Sequence, residues 1–458
     1  MVRLQSGVAQ PGAVRMTVME AGAAQTVPMW MDAAETVAMQ TGVARVGDRL
    51  TYDVVIVGCG IAGLYAALNL PRSLRVLMLC KEDVASCDSM LAQGGICVMR
   101  DHDDYGPWFD DTLRAGHGEN RVESVDAMIW SSRDVIGDLM RLGVRFDRDE
   151  TGALDYTREG AHSRKRILHH ADVTGREITT RLLEQVRQLG NVAIWERSPL
   201  VDLLVGGDAC AGVVVERDAA GKGASEEAAS ERGAASRVEV HAHDTVLATG
   251  GVGGLYEHST NFRSLTGDGC RVAAAHGVEL EHMDYVQIHP TTLYSTRPGR
   301  AFLISESCRG EGAVLLGADG RRFTDELQPR DVVSAAIQRQ MAREGSKYVR
   351  LSFSAVPEQE IRTHFGNIYE HCLREGYDIC REPIPVVPAQ HYLMGGIRVD
   401  QDSRTTMDHL YAAGETSCNG VHGRNRLASN SLLESLVFAR LAARDIVRRR
   451  HRDGSRYA

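Results

Sequence analysis

Apolar positions take on a clear rhythm from Tyr52, where the run DVVIVG leads through a glycine turn into the helical-period run LYAALNL and a second apolar run, RVLMLC. A buried strand, a helix and a second strand within roughly 30 residues form a strand–helix–strand unit. Helical periodicity returns over Glu123 to Leu142 and Thr174 to Leu189. Val192 to Trp195, Leu200 to Val205, Gly212 to Glu216, Val238 to His241 and Thr245 to Ala248 read as short strands. The alternation weakens after residue 285, then Leu410 to Ala413 returns as a strand leading to Gly414 and a long helix, Ser431 to Arg450. The pattern predicts a mixed α/β body in which one domain interrupts another.

Two stretches fall outside this rhythm. Residues 1–50 are rich in Ala, Met, Val, Thr and Gln and read as a mobile or weakly helical extension; Glu20, Asp32 and Glu35 argue against a transit peptide. The low-complexity segment between Asp218 and Arg237 reads as an exposed hairpin tip, where extra residues cost little.

Composition narrows the classes. With 458 residues the chain is expected to hold two or three domains. A formal charge of -9 argues against a general nucleic-acid binder, and no apolar run is long enough to span a membrane, so a cytoplasmic protein is expected. Ten cysteines without a CxxC pair give no zinc or iron–sulfur spacing, and no metal is expected.

Gly58-Cys59-Gly60-Ile61-Ala62-Gly63 matches G-x-G-x-x-G at the strand-to-helix junction. The first glycine permits the tight turn, the second lets backbone approach a pyrophosphate, and the third allows close helix packing. The acidic ribose ligand usual at the end of the second strand is missing, since Leu79 is followed by Cys80, Lys81 and only then Glu82, which weakens an NAD reading. Two further glycine patches, Ala92-Gln93-Gly94-Gly95 and Ala248-Thr249-Gly250-Gly251, suit the larger FAD.

The segment Thr157 to His170, TREGAHSRKRILHH, places Glu159 among Arg158, Arg164, Lys165 and Arg166. A carboxylate in a cationic pocket can select the ammonium of a substrate whose carboxylates the cations attract, as for an acidic amino acid. The competing reading is a solvated surface pair of Glu159 with Arg158 or Arg164. Arg164, Lys165 and Arg166 read as a solvated rim, and His169, His170 and His276 as surface or helix-end residues.

The pieces SMLAQGGI, ATGG, TGDG at 266–269, QIHPTTL at 287–293, RGEG at 309–312, PRD at 329–331, HYLMGG at 391–396 and AAGETSCNGVHGRNRLASNSLLE at 412–434 stand in a family order. In them, from about Tyr52 to Arg450, the chain resembles the flavoprotein family of succinate dehydrogenase, fumarate reductase and L-aspartate oxidase. The resemblance implies a Rossmann-like FAD-binding domain (51–285 and 391–450) interrupted by an α+β capping domain (286–390), with a tail at 451–458. Because the chain stops at Ala458, the family's C-terminal helical bundle is expected to be shortened or absent.

Carried over by position, the resemblance assigns FAD contacts to Gly58, Cys59, Gly60, Ile61, Ala62, Gly63, Lys81, Asp88, Ser89, Met90, Leu91, Ala92, Gln93, Gly94, Gly95, Asp268, Glu415, Ser431 and Leu432. Asp88 stands where respiratory members carry the histidine that attaches flavin, so noncovalent FAD is expected. Catalytic roles fall to Arg330, His289, His391 and Glu159, and substrate binding to Gln287, Ser305 and Arg426. Glu306 is ambiguous, lining the pocket or pairing with Arg309, and is left outside the catalytic set. The implied reaction is oxidation of L-aspartate to iminoaspartate, with fumarate or O2 as electron acceptor and the imine passed to quinolinate synthase, at the start of NAD biosynthesis. Alternatives are a soluble fumarate reductase or succinate dehydrogenase flavoprotein subunit, and an inactive flavin-binding module.

Overall fold

The computed structural model describes residues 15–20, 23–28, 50–217, 236–297 and 299–456. A seven-stranded sheet forms its centre. Leu50–Val57 lies between Val76–Leu79 and Ser236–Leu247, parallel to both, and Val192–Trp195 extends the sheet beyond Val76–Leu79. Within Leu50–Val57, Val54 and Ile56 join one core while Val55 and Val57 join another, the period-two division of a strand buried on both faces. The first face packs on the helices Ile61–Asn69, Thr174–Arg187, Val122–Arg141 and Ser431–Arg456.

Ser236–Leu247 corrects the expectation of two short strands at Val238 to His241 and Thr245 to Ala248. It is one twelve-residue strand that changes partner midway: Ser236 to His241 pair antiparallel with Ala209–Arg217, and Thr245 to Leu247 pair parallel with Leu410–Ala412. The polar Asp244 interrupted the apolar pattern without interrupting the ladder. Its buried carboxylate is held by His243, His409 and Arg450.

A separate four-stranded antiparallel sheet runs in the order Val286–Leu293, Ile384–Leu393, Val349–Ser352, Val314–Leu316. Its core, drawn from residues between Leu293 and Val387, is distinct from the two cores of the central sheet. Arg15–Glu20 and Ala23–Pro28 pair antiparallel, which corrects the weakly helical reading there. Thr17, Val18, Thr26 and Val27 supply the β-branched character that favours extended backbone. The expected hairpin tip at 218–235 lies outside the described residues, although Arg217 and Ser236 on either side of it pair directly. Among the described residues no helix is long and apolar enough to cross a membrane.

Two further corrections concern charge. Arg166 is fully buried: its guanidinium donates to Asp104 at 3.0 Å, to Asp111 at 2.9 Å and meets His162 Nδ1 at 2.9 Å. The sequence shows only a basic run, whereas the fold carries Asp104 and Asp111 to it from a distant helical segment. His169 is also buried, its ring stacked on His364 at 4.3 Å. Arg166→Met leaves two buried aspartates without their cation, and should lower stability by about 3–5 kcal/mol in urea unfolding.

Candidate active site

One cavity joins the glycine turns to the buried charges. At one end the amino terminus of the Ile61–Asn69 helix opens into it, with Gly60, which has no side chain, at the N-cap. Gly58 has φ +117°, and a Cβ there would lie 1.9 Å from the Ala248 carbonyl oxygen, so side chains are excluded by both backbone and space. Ser89 Oγ accepts from the Ile61 amide at 3.1 Å, and Lys81 Nζ donates to Asp268 Oδ2 at 2.7 Å on the same wall. The amino-terminal residues of the Ser431–Arg456 helix, Ser431 and Leu432, line the cavity from another side.

Further along lie Asp88, Gln93 and Glu415. Burial raises the Asp88 carboxyl to about 7 and the Glu415 carboxyl to about 8, the latter with help from Asp88. Asp88 Oδ1 accepts from the Phe262 amide at 2.9 Å and Glu415 Oε1 from the Leu393 amide at 2.9 Å. Asp88 Oδ2, Gln93 Oε1, His289 Nε2 and Arg426 Nε are buried cavity-lining atoms with no hydrogen-bond partner among the described residues. Such a set of unpaired polar atoms in a glycine-walled cleft fits an elongated polar cofactor such as FAD.

The far end gathers the substrate candidates. Glu159 is buried and accepts from Ser307 Oγ at 2.9 Å and from Ser429 Oγ at 2.5 Å, not from Arg158 or Arg164. Burial and the neighbouring Glu306 raise its carboxyl, while Ser429, Arg330 and Ser307 work the other way. A Cβ on Gly94 would meet Glu159 Oε1 at 2.5 Å, so the second glycine patch makes room for this carboxylate.

Arg330 donates to Glu306 Oε2 at 2.5 Å and to Gln287 Oε1 at 2.8 Å. Burial would raise the Glu306 carboxyl, but Arg330 and Arg309 hold it below the usual range. Arg426 lies over the Tyr392 ring at 4.3 Å and donates to Ser431 Oγ; burial and Arg330 lower it to about 10. His289 Nδ1 accepts from the Thr291 amide at 3.2 Å, which leaves Nε2–H as an unused donor. Burial, with Arg330 and Arg426 nearby, keeps His289 and His391 well below the usual histidine range, hence neutral. Thr260 Oγ1 lies 2.7 Å from His391 Nδ1.

The cavity therefore brings together Arg330, Glu159, His289, His391, Ser305 and Arg426, together with Gly58 to Ala62, Lys81, Asp88, Ser89, Leu91 to Gly95, Asp268, Glu415, Ser431 and Leu432. Three expected contacts are not on its wall. Gly63 packs against the Gly58 carbonyl, Met90 turns its sulfur to Thr180, and Gln287 stands behind Arg330, donating to Asn425 Oδ1 and the Arg426 carbonyl. Glu306, ambiguous in the sequence, both lines the cavity and pairs with Arg330, with Arg309 at 3.7 Å. Ser307, Ser429 and Thr260 were missed; Ser429 lies inside the motif at 412–434, whereas Ser307 and Thr260 carry no local signal.

Residues 53–432 match the family model described as an FAD binding domain. The L-aspartate oxidase of Clostridium perfringens is 47% identical over 395 residues, covering 86% of this chain and 86% of that protein. The L-aspartate oxidase of Neisseria meningitidis is 40% identical over 405 residues, covering 86% and 77%. Among solved structures, an E. coli quinol fumarate reductase chain superposes with a TM-score of 0.79 at 30% identity, covering 88% of this chain and 71% of that one.

Gly60 has φ -74° and a Cβ there would meet only Ser89 Oγ, at 3.2 Å, so Gly60→Ala should yield protein that folds but purifies with less flavin, measured as the ratio of flavin to protein absorbance.

Proposed function

The chain belongs to the L-aspartate oxidases, within the flavoprotein family of succinate dehydrogenase and fumarate reductase, and from that membership we propose how its cavity performs the oxidation of L-aspartate to iminoaspartate. The supporting observation is the buried charge set around Glu159. Arg330, Arg426 and Arg309 face Glu159 and Glu306, with both histidines neutral. The guanidiniums outnumber the two carboxylates, so the cluster favours an anionic ligand, and Glu159 adds a partner for the ammonium of aspartate. Succinate or fumarate carries one more negative charge and has no group for Glu159 to hold.

In this reading Arg426 and the His289 Nε2–H bind one carboxylate, and His391 and Arg330 orient the other. Glu159, its two oxygens fixed by Ser307 and Ser429, receives the α-ammonium and sets the Cα–H direction. Glu306 is a positioning residue: its ion pair with Arg330, and the Gln287 carbonyl beside it, hold that guanidinium in one orientation. FAD, when bound, supplies the hydride acceptor and passes the electrons to fumarate or O2. Gly58 to Ala62, Ser89, Gln93 to Gly95, Ser431 and Leu432 would hold it, noncovalently because Asp88 has no imidazole to offer.

We assign 51–285 with 391–450 to flavin binding and 286–390 to a capping domain, on the support of the separate core of the four-stranded sheet. Transfer of the imine to quinolinate synthase, the enzyme that would consume it in NAD biosynthesis, is part of the same reading. Anaerobic L-aspartate should bleach the yellow protein, while D-aspartate, glutamate and succinate do so slowly or not at all; failure of L-aspartate alone to stand out overturns the assignment. Glu159→Gln should lower kcat/KM for aspartate by about tenfold or more, ~1.4 kcal/mol, and largely keep fumarate reduction. Equal losses in both reactions would remove Glu159 from ammonium recognition.

A further inference from the structure

A second cluster of ligating side chains lies apart from the cavity. His243, Asp244 and His409 each offer one atom, and the three atoms lie within 4.8 Å of one another. His243 Nδ1 is 2.8 Å from Asp244 Oδ2 and His409 Nδ1 is 3.0 Å from Asp244 Oδ1; the two rings meet edge to face at 4.6 Å. The Asp244 side chain is 2% exposed, His409 21% and His243 43%, so the carboxylate is buried while solvent reaches the imidazoles.

We propose that His243, Asp244 and His409 form a structural binding site for a divalent transition metal of the zinc class, with a solvent molecule as the fourth ligand. Two imidazoles and a carboxylate are a donor set that suits such an ion. In a tetrahedron with bonds of ~2.0–2.1 Å, neighbouring ligand atoms stand about 3.4 Å apart. The three donor atoms already lie within 4.8 Å of one another, so rotation of the side chains brings them to this spacing without moving the strands.

The surroundings provide for ligation as well. To bind an ion through Nδ1, a neutral histidine must carry its proton on Nε2. For His409 that nitrogen faces Asp408 Oδ2 at 3.6 Å, a carboxylate able to receive the proton's hydrogen bond, and Arg449 pairs with Asp408 in turn. A carboxylate behind a ligating histidine fixes its tautomer and raises its basicity. Arg450 touches Asp244 Oδ2 at 3.3 Å, but its closer partner is Asp53, at 2.9 Å to Oδ1. An ion on Asp244 can therefore take over the longer contact while Arg450 keeps Asp53.

Such an ion fastens the returning strand to the centre of the sheet. Asp244 precedes Thr245, which pairs with Leu410, the residue after His409. Metal binding should raise the melting temperature and leave aspartate turnover unchanged.

The test is titration of the FAD-loaded full chain with Zn2+, and with Co2+ as a spectroscopic probe, beside His243→Gln and His409→Asn. Asparagine accepts the left-handed backbone at residue 409, where φ is +60°, so that variant keeps the fold. Expected is one equivalent of Zn2+ bound with a rise in melting temperature, both lost in the two variants, and roughly tenfold weaker binding in Asp408→Asn. No saturable equivalent, or the same binding in all variants, overturns the site and leaves the cluster as an ion-pair network only.

Discussion

Five charges share one desolvated volume around Arg330, and each is held there by its neighbours. Glu306 is held as a carboxylate because Arg330 and Arg309 face it, and Arg330 keeps its direction because Glu306 and Gln287 receive it. Isolated, each ion would cost several kcal/mol to bury; as a set they are tolerated, and they prefer a ligand of complementary charge. The remaining architecture serves this arrangement. The two sheets converge on it, Gly94 clears space beside it, the Ser431–Arg456 helix begins beside Arg426, and the amino terminus of Ile61–Asn69 stands at the other end of the same cavity.

Much of this was legible in the chain. The glycine turn at Gly58 to Gly63 was legible because its glycines have a backbone reason, and the strand–turn–helix around them is a local pattern. Arg330, His289, His391 and Arg426 were legible only through motif resemblance, since a single arginine or histidine has no spacing of its own. Residue-level burial was much harder to see. Arg166 sits in a basic run that reads as solvated, and only the fold reveals that Asp104 and Asp111 reach it. Asp244 likewise resembled a break between two strands, because pattern cannot register a polar residue satisfied by His409 and Arg450 from more than 160 residues away.

The sequence put Glu159 in the pocket, where it lies, for an incomplete reason. Its basic neighbours in the chain suggested the pocket, yet its contacts are serine hydroxyls from Ser307 and Ser429. Ser429 holds φ +60°, an uncommon conformation for serine, which aims its hydroxyl at the carboxylate while its backbone carbonyl accepts from Cys97. The cations that matter to Glu159 arrive from the helices Arg330–Glu344 and Glu306–Gly310 and, with Arg426, from the loop before the last helix.

The cavity wall runs from Val57 to Ser435, so its parts meet only after nearly the whole described chain has folded. A ligand that binds this wall binds the native state and not the unfolded chain, so its free concentration shifts the folding equilibrium directly. Colour then becomes a gauge of integrity: damage far from the flavin, in the Arg166 cluster or at the joint between Asp244 and His409, would first be seen as a paler protein.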